Sequence, residues 1–98
     1  MKIKKGMLVR VKTKEELLKL GLTENNGELW DTSLNDCLTG KMLDTLGKVY
    51  KVEKLKKFDD GRNGLYIKYD DWTDVSFTYY PKWVEVMNTK AAKILFKR

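Results

Sequence analysis

The sequence predicts a mainly β protein: a small five-stranded antiparallel barrel with two short helices between its first and second strands. Three observations carry this expectation. Apolar and polar residues alternate with a period of two from Gly47 onward. A turn cluster, Asp59-Asp60-Gly61-Arg62-Asn63-Gly64, separates two β-rich runs and marks a hairpin. The 98-residue length allows one domain with a small core, and closing the sheet is the physical solution to unpaired edges at that size.

The elements follow in order. After Gly6, Met7-Leu8-Val9-Arg10-Val11 is rich in β-formers, with Met7, Val9 and Val11 on one face. Thr13 stands three residues before Glu16, a capping-box pattern that opens a short helix through Leu17, Leu18 and Leu20, with Gly21 as its stop. Residues 22–36 read as a long connection with a turn signal at Asn26-Gly27 and a lone aromatic, Trp30. A loop of that length in a small domain is usually either functional or poorly ordered. A second helix is predicted over residues 39–46, with Met42, Leu43 and Leu46 as its apolar stripe and Gly47 as its end. Residues 48–55 alternate as a strand with Tyr50 and Val52 on one face. In the next two strands Leu65, Ile67 and Tyr69, then Val75, Phe77 and Tyr79, point inward, and Asp70-Asp71-Trp72-Thr73-Asp74 turns the chain between them. Tyr80-Pro81-Lys82-Trp83 breaks the run, and Val84-Glu85-Val86 forms a last short strand. Residues 88–98 read as a short basic helical tail capped by Thr89, so the chain divides into a body over 1–87 and a tail over 88–98.

Composition narrows the chemistry. Histidine is absent, which removes the commonest general acid–base and metal ligand and the Ser–His and Cys–His nucleophile pairs. The single Cys37 has no thiol partner for a disulfide or a zinc cluster, and its neighbour Asp36 holds its pKa up instead of activating it. Neither Ser33 nor Ser76 lies in a Gly-x-Ser-x-Gly turn, and no Gly-rich phosphate loop occurs. Asp59, Asn63, Gly64 and Asp70 fall on a calcium-loop template, but Gly61 takes a ligand position with no side-chain oxygen. Asp70, Asp71 and Asp74 read as turn residues that bond local amides. The expectation is a protein that binds and does not catalyse, with no metal and no cofactor.

No apolar run approaches the length of a membrane span, and no apolar leader follows the basic N-terminus. With one cysteine, this predicts a protein of the reducing cytoplasm. Net charge is +6. Residues 1–14 carry six cations and no acid, residues 15–50 carry seven acids against three lysines, and residues 88–98 carry four cations and no acid. The basicity thus belongs mainly to the two ends.

Four segments together resemble a known group: Gly6-Met7-Leu8-Val9-Arg10-Val11, Gly47-Lys48-Val49-Tyr50-Lys51-Val52, Ile67-Lys68-Tyr69-Asp70-Asp71-Trp72 and Trp83-Val84-Glu85-Val86. Over residues 6–87 the chain is similar to the SH3-like small-barrel proteins of phages and prophages of low-GC Gram-positive bacteria. Pro81-Lys82-Trp83-Val84 also resembles the short turn before the last strand of eukaryotic SH3 domains, whose Ala-Leu-Tyr-Asp-Tyr loop is missing here. Binding of Pro-rich peptides is therefore not implied. The resemblance implies a phage or mobile-element accessory protein in the cytoplasm of a bacterial host. Its partner would be a host protein or ribonucleoprotein, as in inhibitors of defence nucleases of the CRISPR kind.

The candidate site is the outward face of the last strands. If Leu65, Ile67, Phe77 and Tyr79 point in, then Tyr66, Lys68, Ser76, Thr78 and Tyr80 point out. With Lys51 and the turn residue Trp72 they predict a patch of aromatics interleaved with lysines. Such a patch suits a protein hot spot on Trp72, Tyr66 and Tyr80, flanked by Lys68 and Lys51. The alternative is nucleic acid, with bases stacked on the aromatics. Its phosphates would be held by Lys54, Lys56 and Lys57 and by Lys90, Lys93, Lys97 and Arg98 of the tail.

Overall fold

Eight short strands pair into two antiparallel sheets in the computed structural model, which describes residues 3–68 and 76–87. The larger sheet holds β1 (Leu8–Val11), β5 (Val49–Lys57), β6 (Asn63–Lys68), β7 (Ser76–Tyr79) and β8 (Val84–Val86), in the spatial order β7-β6-β5-β1-β8. Val9 and Val11 of β1 are fully buried, as the alternation requires, and Val9 sits between Tyr50 of β5 and Val86 of β8. The protein is mainly β, but the sheet is open. Strands β7 and β8 are its two edges, and no ladder joins them among the described residues. The expected closed barrel is corrected here, for a local reason. Pro81 starts a 3-10 turn (Pro81–Trp83) straight after β7, and the three-residue β8 spends its pairing on β1. Side chains fill the gap, with the Trp83 and Tyr79 rings packed edge to face at 6.4 Å.

Everything between β1 and β5 forms an insert that covers the core. Helix α1 (Lys14–Lys19) opens on the predicted capping box: the Thr13 hydroxyl accepts from the Glu16 amide, and Glu16 accepts from the Thr13 amide. Leu17 is buried, while Leu18 and Leu20 are exposed. Residues 22–36 are no loop. They carry β2 (Thr23–Asn25) and β3 (Glu28–Asp31), and β4 (Asp36–Leu38) completes a three-stranded meander. Asn26 and Gly27, both at positive φ, close the first hairpin with the twist that a two-residue turn demands. The second helix is a 3-10 helix over Gly40–Thr45 that buries Met42 and Thr45.

Insert and sheet share one core. Leu17, Leu22, Leu29, Leu38 and Met42 pack with Val9, Val11, Val52, Leu65, Ile67, Tyr79, Tyr80, Trp83 and Val84. Leu65, Ile67 and Tyr79 point inward as predicted, and Phe77 is only partly buried against the cluster. The inward positions predicted for Tyr69 and Val75 lie outside the described residues, as does the tail over 88–98.

Candidate binding face

Strands β5 and β6 run past the core as an arm. Strand β5 has nine residues, of which Val49, Tyr50 and Lys51 pair with β1, Val52 pairs with β6 and also bonds Gly6 and Met7, and Lys54, Leu55, Lys56 and Lys57 pair with β6. The register shifts between Val52 and Lys54, so Glu53 is an extra residue in β5. This bulge breaks the period of two. Val52 and Leu55 lie opposite the inward residues Ile67 and Leu65, and Lys54 and Lys56 are left on the outer side.

On that outer side Lys54 lies directly across from Tyr66, which lies across from Thr78, in one row over three strands. The Lys54 ammonium sits 4.9 Å from the Tyr66 ring centre and that of Lys56 at 5.9 Å, both within cation–π range. Lys56 also stands 5.0 Å from the Phe58 ring. The hydrogen bond between Lys56 and the Tyr66 phenol, with the nearby positive charge, draws the phenol's pKa below its ordinary value. Gly64 makes room for this arrangement. A Cβ there would fall 2.8 Å from Phe58 Cε2 and 3.2 Å from Thr78 Cγ2.

The residues predicted for the site divide. Tyr66 and Lys68 share the outer side of β6, with Thr78 and Ser76 as their partners on β7, and Lys51 is exposed on β5 before the bulge. Lys57 does not join Lys54 and Lys56. It pairs with Asn63 two residues beyond Leu55 and so belongs to the other side of the arm. Tyr80 is a correction, being 2 % exposed and not outward. It follows the last residue of β7, where the chain enters the 3-10 turn and strand alternation no longer applies. Its ring packs on Phe58 at 5.9 Å and Trp83 at 4.8 Å, under the Arg62 guanidinium at 5.5 Å. Burial and the bond its hydroxyl donates to Asp36 (2.7 Å) push its pKa up to about 12. Trp72, Lys90, Lys93, Lys97 and Arg98, together with Asp70, Asp71 and Asp74, lie outside the described residues.

Among the described residues, lysines divide between those in an ion pair and those in none, and those of β5 fall with Lys4, Lys5, Lys12, Lys19 and Lys48 in the second group. Arg10 bonds Glu16 and Glu85, Lys14 bonds Glu24, Arg62 bonds Asp60 and Lys82 bonds Asp31. Lys51, Lys54, Lys56 and Lys57 enter no ion pair among the described residues. Residues 48–68 carry seven cations and three acids, a local +4. Four of those cations, Lys51, Lys54, Lys56 and Lys57, stand at exposed positions of β5.

A second polar cluster escaped the sequence analysis. Asp31 is 2 % exposed and joins the meander to the turn before β8. It accepts from Ser33 Oγ at 2.6 Å, Trp83 Nε1 at 3.0 Å and Lys82 Nζ at 3.1 Å. Burial alone would raise its pKa, but these donors outweigh it and hold the carboxyl below its ordinary range. Arg62 makes a parallel tie from the arm's tip, donating to the Leu34 carbonyl and to Tyr80 Oη. No local pattern signals partners this far apart in the chain. Cys37 is half-buried on β4, its thiol pushed up by burial and by Glu28 and Asp36, in the direction expected.

No helix among the described residues is long and apolar enough to cross a membrane. No protein-family model, curated protein or solved structure matches the chain.

Proposed function

We propose that the chain is a non-enzymatic binding module of SH3-like topology, and that its partner is single-stranded nucleic acid held on the outer face of β5 and β6. The strand order β7-β6-β5-β1-β8 and the 3-10 turn before the last strand support the SH3-like reading, with the insert taking the place of the first long loop. One observation carries the choice of partner. Tyr66 is flanked by Lys54 and Lys56, which form no ion pair among the described residues. An aromatic ring beside ammonium groups that no carboxylate neutralises suits base stacking with phosphate contact. Burial of Tyr80 removes one aromatic from the patch on which both the protein and the nucleic-acid readings drew, and leaves the choice to the lysines around Tyr66. The resemblance to phage and prophage small barrels supports an accessory role in a bacterial host cell. The target class is then the nucleic-acid component of a host ribonucleoprotein, as in defence by CRISPR nucleases.

The test is fluorescence anisotropy of a labelled twelve-nucleotide DNA or RNA across a salt series. Neutralising Lys54 and Lys56 with glutamine should flatten the log–log salt slope by about 0.7 for each lysine–phosphate pair removed. Tyr66→Ala should cost about 1–3 kcal/mol of affinity, as removal of one stacked base does. Binding that vanishes on deletion of 88–98 yet ignores Tyr66, Lys54 and Lys56 would move the site to the tail and overturn the assignment.

A further inference from the structure

The same arm carries a groove that the nucleic-acid reading touches only at Lys56. It has a volume of about 640 Å³ and apolar walls from Ile3, Leu55 and Pro81 over the buried Gly64 and Leu65, with Lys56, Lys57 and Asn63 at its rim. Leu55 is 48 % exposed, although it lies directly opposite Leu65, which is fully buried. The bulge at Glu53 is what aims Leu55 here and Lys54 away. Apolar surface left open in this way marks an interaction site when charged residues frame it. The frame is basic. Lys57 enters no ion pair among the described residues, and Lys4 and Lys5, both exposed, follow Ile3 directly.

We infer that this groove binds an extended polypeptide segment in which apolar and acidic side chains alternate. Period-two alternation lets a strand-like segment place its apolar side chains on Ile3, Leu55 and Pro81 while its carboxylates reach Lys56 and Lys57 at the rim. The charge argues against the chain's own 88–98 segment as occupant, because that segment carries four cations and no acid. Like charge at the rim disfavours it. The groove meets the nucleic-acid face at Lys56, and Leu55, which the nucleic-acid reading does not use, separates the two readings.

Isotope-labelled protein titrated with an acetylated (Leu-Glu)₄ peptide tests the inference, with (Leu-Lys)₄ and (Ser-Glu)₄ as controls. Amide shifts should centre on Leu55, Lys57, Asn63 and Leu65 for the first peptide only. Leu55→Asp and Lys57→Glu should each weaken binding about tenfold, and both sites are exposed enough to leave the amide spectrum of the fold unchanged. Anisotropy with the oligonucleotide should be unaffected by Leu55→Asp, so failure here and failure of the nucleic-acid reading are distinguishable. Three results would overturn the inference. They are equal binding of (Leu-Lys)₄, binding that appears only after deletion of 88–98, and concentration-dependent self-association abolished by Leu55→Asp.

Discussion

Two places in this molecule set lysine beside an aromatic ring, and they do opposite things with it. At the junction of insert and sheet, Lys82 and the Trp83 indole both donate to the buried carboxylate of Asp31. On the outer arm, Lys54 and Lys56 stand over Tyr66 with no carboxylate between them. The difference lies in the acid and in its burial. A buried Asp satisfied by several donors clamps two segments together, and its removal leaves donors stranded. A lysine over an exposed ring contributes little to folding and keeps its charge available. The same residue types are thus consumed by architecture in one place and left free in the other.

Substitutions can break this contrast, beginning with the largest effect. Trp83→Ala removes a fully buried side chain and the donor to Asp31, and should cost about 3–5 kcal/mol in chemical denaturation. Should it cost no more than a surface change, the junction is not where the stability resides. Asp31→Ala should cost about 1–3 kcal/mol by leaving the Trp83 N–H and Lys82 without their acceptor. Gly64→Ala should cost about 1–3 kcal/mol, because the new methyl must displace the Phe58 ring. At the small end, Lys54→Gln should stay within about 0.5 kcal/mol of the parent while changing oligonucleotide affinity. A large drop in stability there would make the arm's lysines structural and erase the comparison.

Acid sharpens the same contrast. The Arg10 bond, aided by the Thr13 amide, lowers the pKa of Glu16 from 4.5 to about 2, and the Asp31 carboxyl is also depressed. A carboxyl whose folded pKa is depressed stabilises the fold above its unfolded pKa. That contribution disappears as pH falls through the folded value. Melting temperature should therefore fall between about pH 4.5 and pH 2, and less steeply in Glu16→Gln. An unchanged acid limb in that variant would show that the Arg10–Glu16 pair exists without stabilising the fold.

What could be read from the sequence was local in origin. Thr13 and Glu16 bond within one turn, and the pattern that announces their capping box is complete in four residues. The β5–β6 hairpin was equally legible from its turn cluster. The meander was not, because its strands are three or four residues long and β2 is exposed throughout. What orders it is the burial of Leu29 and Leu38 and the Asp31–Trp83 bond, which spans 52 positions of chain. The proposed binding face was half legible. Alternation places Tyr66 and Lys68 correctly, but extending it one residue past the end of β7 turns Tyr80 outward, where the chain has already left the strand. Lys57 is misplaced for the same kind of reason. A row of lysines looks uniform until the pairing register says which side each one takes.

The bulge at Glu53 is a phase corrector for the arm. Deleting that one residue would leave Val52 with Ile67, Lys54 with Tyr66 and Leu55 with Leu65 as regular consecutive pairs, every side chain on its present side. Pairing Glu53 with Tyr66 instead would put Lys54 opposite Leu65 and Leu55 opposite Gly64. Position 53 should therefore tolerate deletion, whereas deleting any paired residue after it would turn part of the arm over. The turn over residues 59–61, which lies beyond the last paired residues, should absorb insertions freely.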